Sequence, residues 1–69
     1  MAVARVTEII AASPVGFDDA VKKGFERASK TLRNITGFHV TEWRASVEDE
    51  MIQEYRVTLR VTFLLEDTI

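Results

Sequence analysis

The clearest pattern lies near the end of the chain. Tyr55, Val57, Leu59, Val61, Phe63 and Leu65 alternate there with Glu54, Arg56, Thr58, Arg60, Thr62 and Leu64. A period of two sustained this long predicts a strand over Ile52 to Leu65, with the first six residues on its core face. At about 3.3 Å per residue it runs to roughly 45 Å, long for a domain of this size. A second strand is expected over Phe38 to Val47, with Phe38 and Val40 facing the same core. Glu48-Asp49-Glu50 forms the hairpin tip between them, without the Gly that tight hairpins prefer. Near the start, Val3, Val6, Thr7, Ile9 and Ile10 are β-favouring types without a helical period, so Ala2 to Ala12 reads as a further strand.

Between these strands the period changes. Phe17, Ala20, Val21, Gly24, Phe25, Ala28, Leu32 and Ile35 recur at three- and four-residue spacing. They predict an amphipathic helix over Phe17 to Ile35, set off from the first strand by Ser13-Pro14-Val15-Gly16. Asp18 and Asp19 suit its first turn, and Lys30 and Arg33 its end. Gly24 costs roughly 1 kcal/mol of helix propensity, and the expected return is close approach of the helix to the sheet. Gly37 is expected to terminate the helix.

The order β-α-β-β predicts an α+β fold, a three-stranded antiparallel sheet wrapped on one helix, with the last strand in the middle. The helix covers one face. On the other stand Gly37, His39, Thr41, Trp43, Ala45 and Val47, beside Arg56, Thr58, Arg60, Thr62 and Leu64. That face is semi-polar, with an indole at its centre, and nothing in the chain covers it. Trp43 therefore reads first as an interface anchor and second as a platform for a stacked ligand.

Composition sharpens this. The chain has 69 residues, so residues 1–69 are taken as one domain. It is 46% hydrophobic and 29% charged, a folding composition, and lacks cysteine, so no disulfide or thiolate site supports it. So small a domain usually completes its core by self-association. A net charge of −2 gives no bulk attraction to nucleic acid. No apolar run is long enough for a membrane helix and no signal-peptide pattern opens the chain, so a cytoplasmic location is expected. His39 stands alone, Ser13 and Tyr55 have no base at a suggestive spacing, and no phosphate loop occurs. No catalytic residues and no metal ligands are assigned; the protein reads as a non-enzyme. Glu48-Asp49-Glu50 reads as a solvated turn that could meet a hard cation only if several copies converge. Arg44 and Arg56 are expected to pair with Glu42 or Glu54, across the hairpin or between subunits.

Taken in order, these segments resemble the dodecins. The resemblance rests on Val6-Thr7-Glu8-Ile9-Ile10, Ser13-Pro14 and Arg27-Ala28-Ser29-Lys30-Thr31-Leu32-Arg33-Asn34. It continues through Phe38-x-Val40-x-Glu42-x-Arg44 and Tyr55-x-Val57-Thr58-Leu59-x-Val61-x-Phe63-x-Leu65-Glu66, and covers Val3 to Asp67. It implies a homo-dodecameric shell that stores flavin, of the riboflavin or FMN class, and quenches it without turnover. In the family an aromatic residue, usually Trp, opens the second strand and stacks on the flavin ring. A Gln after the Tyr of the third strand hydrogen-bonds the ring's polar edge. The corresponding positions here are Gly37 and Arg56, and these two are the candidate cofactor-binding residues. The departure leaves a second expectation: a dodecin-shaped structural or cation-binding assembly that has lost flavin.

Overall fold

A computed structural model describes residues 3–65. Ala2, Glu66 and Asp67, which the sequence-based expectations included, lie outside them. The elements run β1 (Ala4–Ser13), α1 (Phe17–Ser29), β2 (Ile35–Glu48) and β3 (Met51–Leu64). The sheet order is β1-β3-β2, with both pairings antiparallel, so the last strand is central as expected.

The core is a single stripe along β3. Val57, Leu59 and Val61 are fully buried under α1, together with Ala20 of the helix. Tyr55 and Phe63, at the ends of the stripe, are half-buried, and Leu65 beyond it is exposed. From β1, Ile9 and Ala11 pack against the stripe; from β2, Ile35 and Val40 do. The helix presents Ala20, Gly24 and Ala28, all small, to this surface. A Cβ built on Gly24 would lie 2.9 Å from both the Ala11 Cβ and the Leu59 Cδ1. Gly24 therefore sets the distance between helix and sheet.

Two boundaries depart from the sequence expectation. The helix stops at Ser29 and not at Ile35, and Gly37 does not terminate it but lies inside β2. The reversal is made at Asn34, whose φ of 61° is left-handed. Its carbonyl accepts the Leu64 amide at 3.0 Å, which ties the turn to the central strand. Asn tolerates this conformation better than other non-glycine residues, and β-branched Ile35 and Thr36 then favour extension. Leu32 and Ile35 still reach the core from outside the helix.

The pairing of β2 with β3 shifts three times, between Ile35 and Gly37, between Val40 and Glu42, and between Ser46 and Val47. The extra residues are Thr36 and Thr41 on β2 and Gln53 on β3. Each sends its side chain to a nearby backbone carbonyl: Thr36 to Thr62 at 3.5 Å, Thr41 to Thr58 at 3.4 Å and Gln53 to Glu48 at 3.4 Å. These long bonds stand in where the ladder is interrupted. Every shift also reverses which residues face the helix, because side chains alternate with period two.

β1 pairs only with Tyr55–Leu64, so the hairpin beyond that point is two-stranded. It projects about 13 Å past the rest of the sheet at roughly 3.3 Å per residue. Val47, Met51 and Ile52 on this arm are 64%, 66% and 53% exposed. The chain measures 56 × 19 × 13 Å with a radius of gyration of 14.5 Å. A compact chain of this length would have a radius near 11 Å. At the tip, Asp49 and Glu50 have φ of 53° and 60°, both left-handed, which is the type I′ turn built without glycine.

Two substitutions test these features by denaturant unfolding. Gly24→Ala gains about 1 kcal/mol of helix propensity but overpacks against Ala11 and Leu59 at about 1–3 kcal/mol, so a net loss near 1 kcal/mol is expected. Glu50→Gly relieves a left-handed non-glycine residue and should stabilise by about 0.5–1 kcal/mol.

Candidate functional site

Gly37 and Arg56 both lie on the sheet face opposite α1. Gly37 pairs with Thr62, and a Cβ added there meets nothing within 4 Å, so the space above it is open. The next row on that face is His39 opposite Arg60, with Glu8 of β1 on Arg60's other side. Further along stand Glu42 opposite Thr58, then Arg44 opposite Arg56, with Ala12 beyond. Arg56 is six residues from Thr62 along β3, so about 20 Å separates it from the Gly37 row. One protomer does not bring the two candidates together. A ligand that touched both would lie between copies of the chain.

Like charges directly opposite each other on a sheet repel. The Arg44–Arg56 row is relieved along the strands: Arg56 Nη2 donates to Glu54 Oε1 at 2.7 Å, and Arg44 Nη2 lies 3.3 Å from Glu42 Oε2. The pairing residues are the expected ones, but each pair lies two residues apart in one strand and does not cross the hairpin. All four side chains are substantially exposed, so each pair stabilises by at most about 1 kcal/mol. Arg56 thus presents a guanidinium already engaged by a carboxylate, where the resemblance would place a neutral amide.

Trp43 is on the other face. The extra residue at Thr41 reverses the alternation, so Trp43 lies opposite Val57 and Ala45 opposite Tyr55, both on the helix side. This corrects the placement of Trp43 and Ala45 beside Gly37. Val47 stays on the helix side as well, because the extra residue Gln53 is on β3 and leaves the alternation of β2 unbroken, so its expected place on the open face is also corrected. Trp43 meets Phe17 edge-on with ring centroids 5.4 Å apart, and Phe17 meets Tyr55 in the same way at 5.0 Å. The three rings close the root of the projecting arm against the first turn of α1, and Trp43 remains 53% exposed. Its indole cannot stand over Gly37 of its own chain. The reversal has a signal in the sequence: the apolar positions of this strand are even-numbered at Phe38 and Val40 and odd-numbered at Trp43 and Ala45.

Ser13 has a role that sequence reasoning missed. It is buried, its Oγ accepts the Val15 amide at 3.0 Å, and its hydroxyl donates to Asp19 Oδ2 at 2.5 Å. The end of β1 is thereby fastened to the first turn of α1. Asp19 also faces the Lys23 ammonium at 3.4 Å. The Ser13 hydrogen bond, and secondly Lys23, hold the Asp19 carboxyl below its ordinary value of 3.8, against an opposing effect of burial. Tyr55, in the aromatic trio, is the register partner of Ser13, whereas His39 lies on the open face opposite Arg60, several rows away from both. Among the described residues no group of three His, Cys, Asp or Glu side chains is placed to hold a metal ion. No helix among them is long and apolar enough to cross a membrane.

The family model described as Dodecin matches residues 3–66. A curated dodecin of Thermus thermophilus is 36% identical over 64 residues, 93% of each chain. The solved dodecin from Streptomyces davaonensis superposes with a TM-score of 0.90 at 41% identity, covering 96% of this chain and 97% of that one. A Mycobacterium tuberculosis protein described as a calcium-chelating antigen, a calcium dodecin with a novel calcium-binding site, superposes at 0.82 with 27% identity. That match covers 97% of this chain and 96% of that one.

The Ser13–Asp19 clasp predicts a pH dependence. A depressed carboxyl pKa contributes stability that is present above 3.8 and lost as pH falls through the folded-state value. Asp19→Asn should therefore lower the thermal midpoint at pH 7, and the gap to wild type should close in acid below about pH 3.8. Ser13→Ala leaves the Val15 amide without its acceptor and should cost about 1 kcal/mol at neutral pH.

Proposed function

The chain belongs to the dodecin family, and we propose that it builds a homo-dodecameric shell of the flavin-storage type, without catalysis, whose own affinity for flavin is low. The observation that carries this reading is Gly37. It stands on the open sheet face where the resemblance puts a stacking indole, with free space above its Cα. A flavin of the riboflavin or FMN class placed there finds no aromatic wall from its own protomer, since Trp43 is on the helix side. Arg56, held by Glu54, offers donors but no acceptor to the ring's polar edge. An aromatic pair contributes about 0.5–1.5 kcal/mol beyond its buried area, and each 1.4 kcal/mol is about tenfold in affinity. Assembly is supported by the uncovered sheet face, the projecting arm and its exposed Val47, Met51 and Ile52. Twelve chains of 7.8 kDa give about 94 kDa.

A second reading is a shell that has lost flavin and takes a cation. The relative described as a calcium dodecin favours it. Here the exposed Glu48-Asp49-Glu50 turn would have to meet its equivalents from other copies, because hard cations take several oxygen ligands.

Titration by quenching of flavin fluorescence separates the two. Gly37→Trp should bind riboflavin or FMN at least about tenfold more tightly than wild type, and Gly37→Trp/Arg56→Gln more tightly still. Sub-micromolar quenching by wild type with no gain in the Trp variant would overturn the role given to Gly37. Calorimetric calcium binding without quenching in any variant would favour the cation reading. Light scattering at micromolar concentration should give the dodecamer mass; a monomer or dimer mass would refute the shell.

A further inference from the structure

A groove of about 550 Å³ runs along the β1 edge, between β1 and α1. Ile9, Ala11, Gly24, Ala28 and Leu32 make its apolar floor, and Lys23 and Arg27 stand at its helix side. Both basic side chains belong to exposed residues, and Arg27 has no ion pair among the described residues. Elsewhere the two-stranded arm projects from the sheet with apolar Val47, Met51 and Ile52 around an acidic tip, Glu48-Asp49-Glu50. Groove and arm are complementary in apolar character and in charge. They cannot meet within one chain, because the arm begins beyond Ser13, where the β1 pairing ends, and extends away from it.

We propose that the occupant of the β1–α1 groove is the β2–β3 arm of a second copy of this chain, its acidic tip against Lys23 and Arg27 and its apolar side chains over the groove floor. The proposal rests on the homo-oligomer reading above and specifies one of its contacts. The contact is heterologous: each chain offers a groove to one neighbour and an arm to another, which builds a ring where the rotation between copies closes. Two exposed features of the monomer are thereby explained together. The arm, too thin to be stable alone, gains a surface, and the groove loses its water.

The test is a charge swap read by light scattering and sedimentation at low ionic strength. Lys23→Glu/Arg27→Glu and, separately, Glu48→Lys/Asp49→Lys/Glu50→Lys should each weaken assembly by about tenfold or more. Combining all five substitutions in one chain should restore it, because the reversed tip of one copy then meets the reversed rim of the next. Lys22→Glu/Arg33→Glu carries the same charge change as the first variant away from the groove rim and should leave assembly unchanged. Wild-type assembly should also weaken with added salt. A monomeric wild type would refute the oligomer reading itself. An assembled wild type whose half-swaps still assemble, or whose five-fold variant fails to recover, would overturn this docking and leave the oligomer reading standing.

Discussion

Everything in the fold depends on how closely one helix can approach one strand. Val57, Leu59 and Val61 leave water only because α1 turns a seam of Ala20, Gly24 and Ala28 toward them. With a side chain at position 24, the helix would sit on the Ala11 methyl and the Leu59 branch, and the stripe would open to solvent. The core is one helix wide and three strand residues long. A layer that thin can hold a sheet of three strands but cannot cover both faces of it. The open face and the projecting arm, where the functional questions lie, follow from that limit.

The strict alternation of β3 and the three- and four-residue stripe of α1 were legible because each follows one period without interruption. Their consequences, the β1-β3-β2 order and the core-facing placement of Phe38 and Val40, were legible with them. The end of the helix was not, since Leu32 and Ile35 keep helical spacing while reaching the core from a loop and a strand. Apolar spacing reports what is buried and not the backbone that buries it. The left-handed Asn34 was the local sign of the break.

The candidate site was legible in part. Gly37 and Arg56 lie on the face expected of them, because β3 has no interruption between Arg56 and Thr62, the residue opposite Gly37. Trp43 did not follow, since one threonine between Val40 and Glu42 turned the rest of β2 over. The Ser13–Asp19 clasp was hidden for a different reason. It joins a strand end to a helix start across a proline turn, and six residues of separation carry no periodic signature.

The interruptions of β2 have a further consequence. β2 is an outer strand of fourteen residues, long enough in regular form to recruit the same strand from other molecules without limit. Thr36 and Thr41 break its free margin into short runs, each out of step with the next. A second straight strand laid alongside would match the first run and mismatch the others, so open-ended fibrillar growth has no continuous template. Thr41, which decides which way Trp43 points, and Thr36 before it thus act as a guard on solubility, keeping a protein with so much unpaired backbone from pairing indiscriminately.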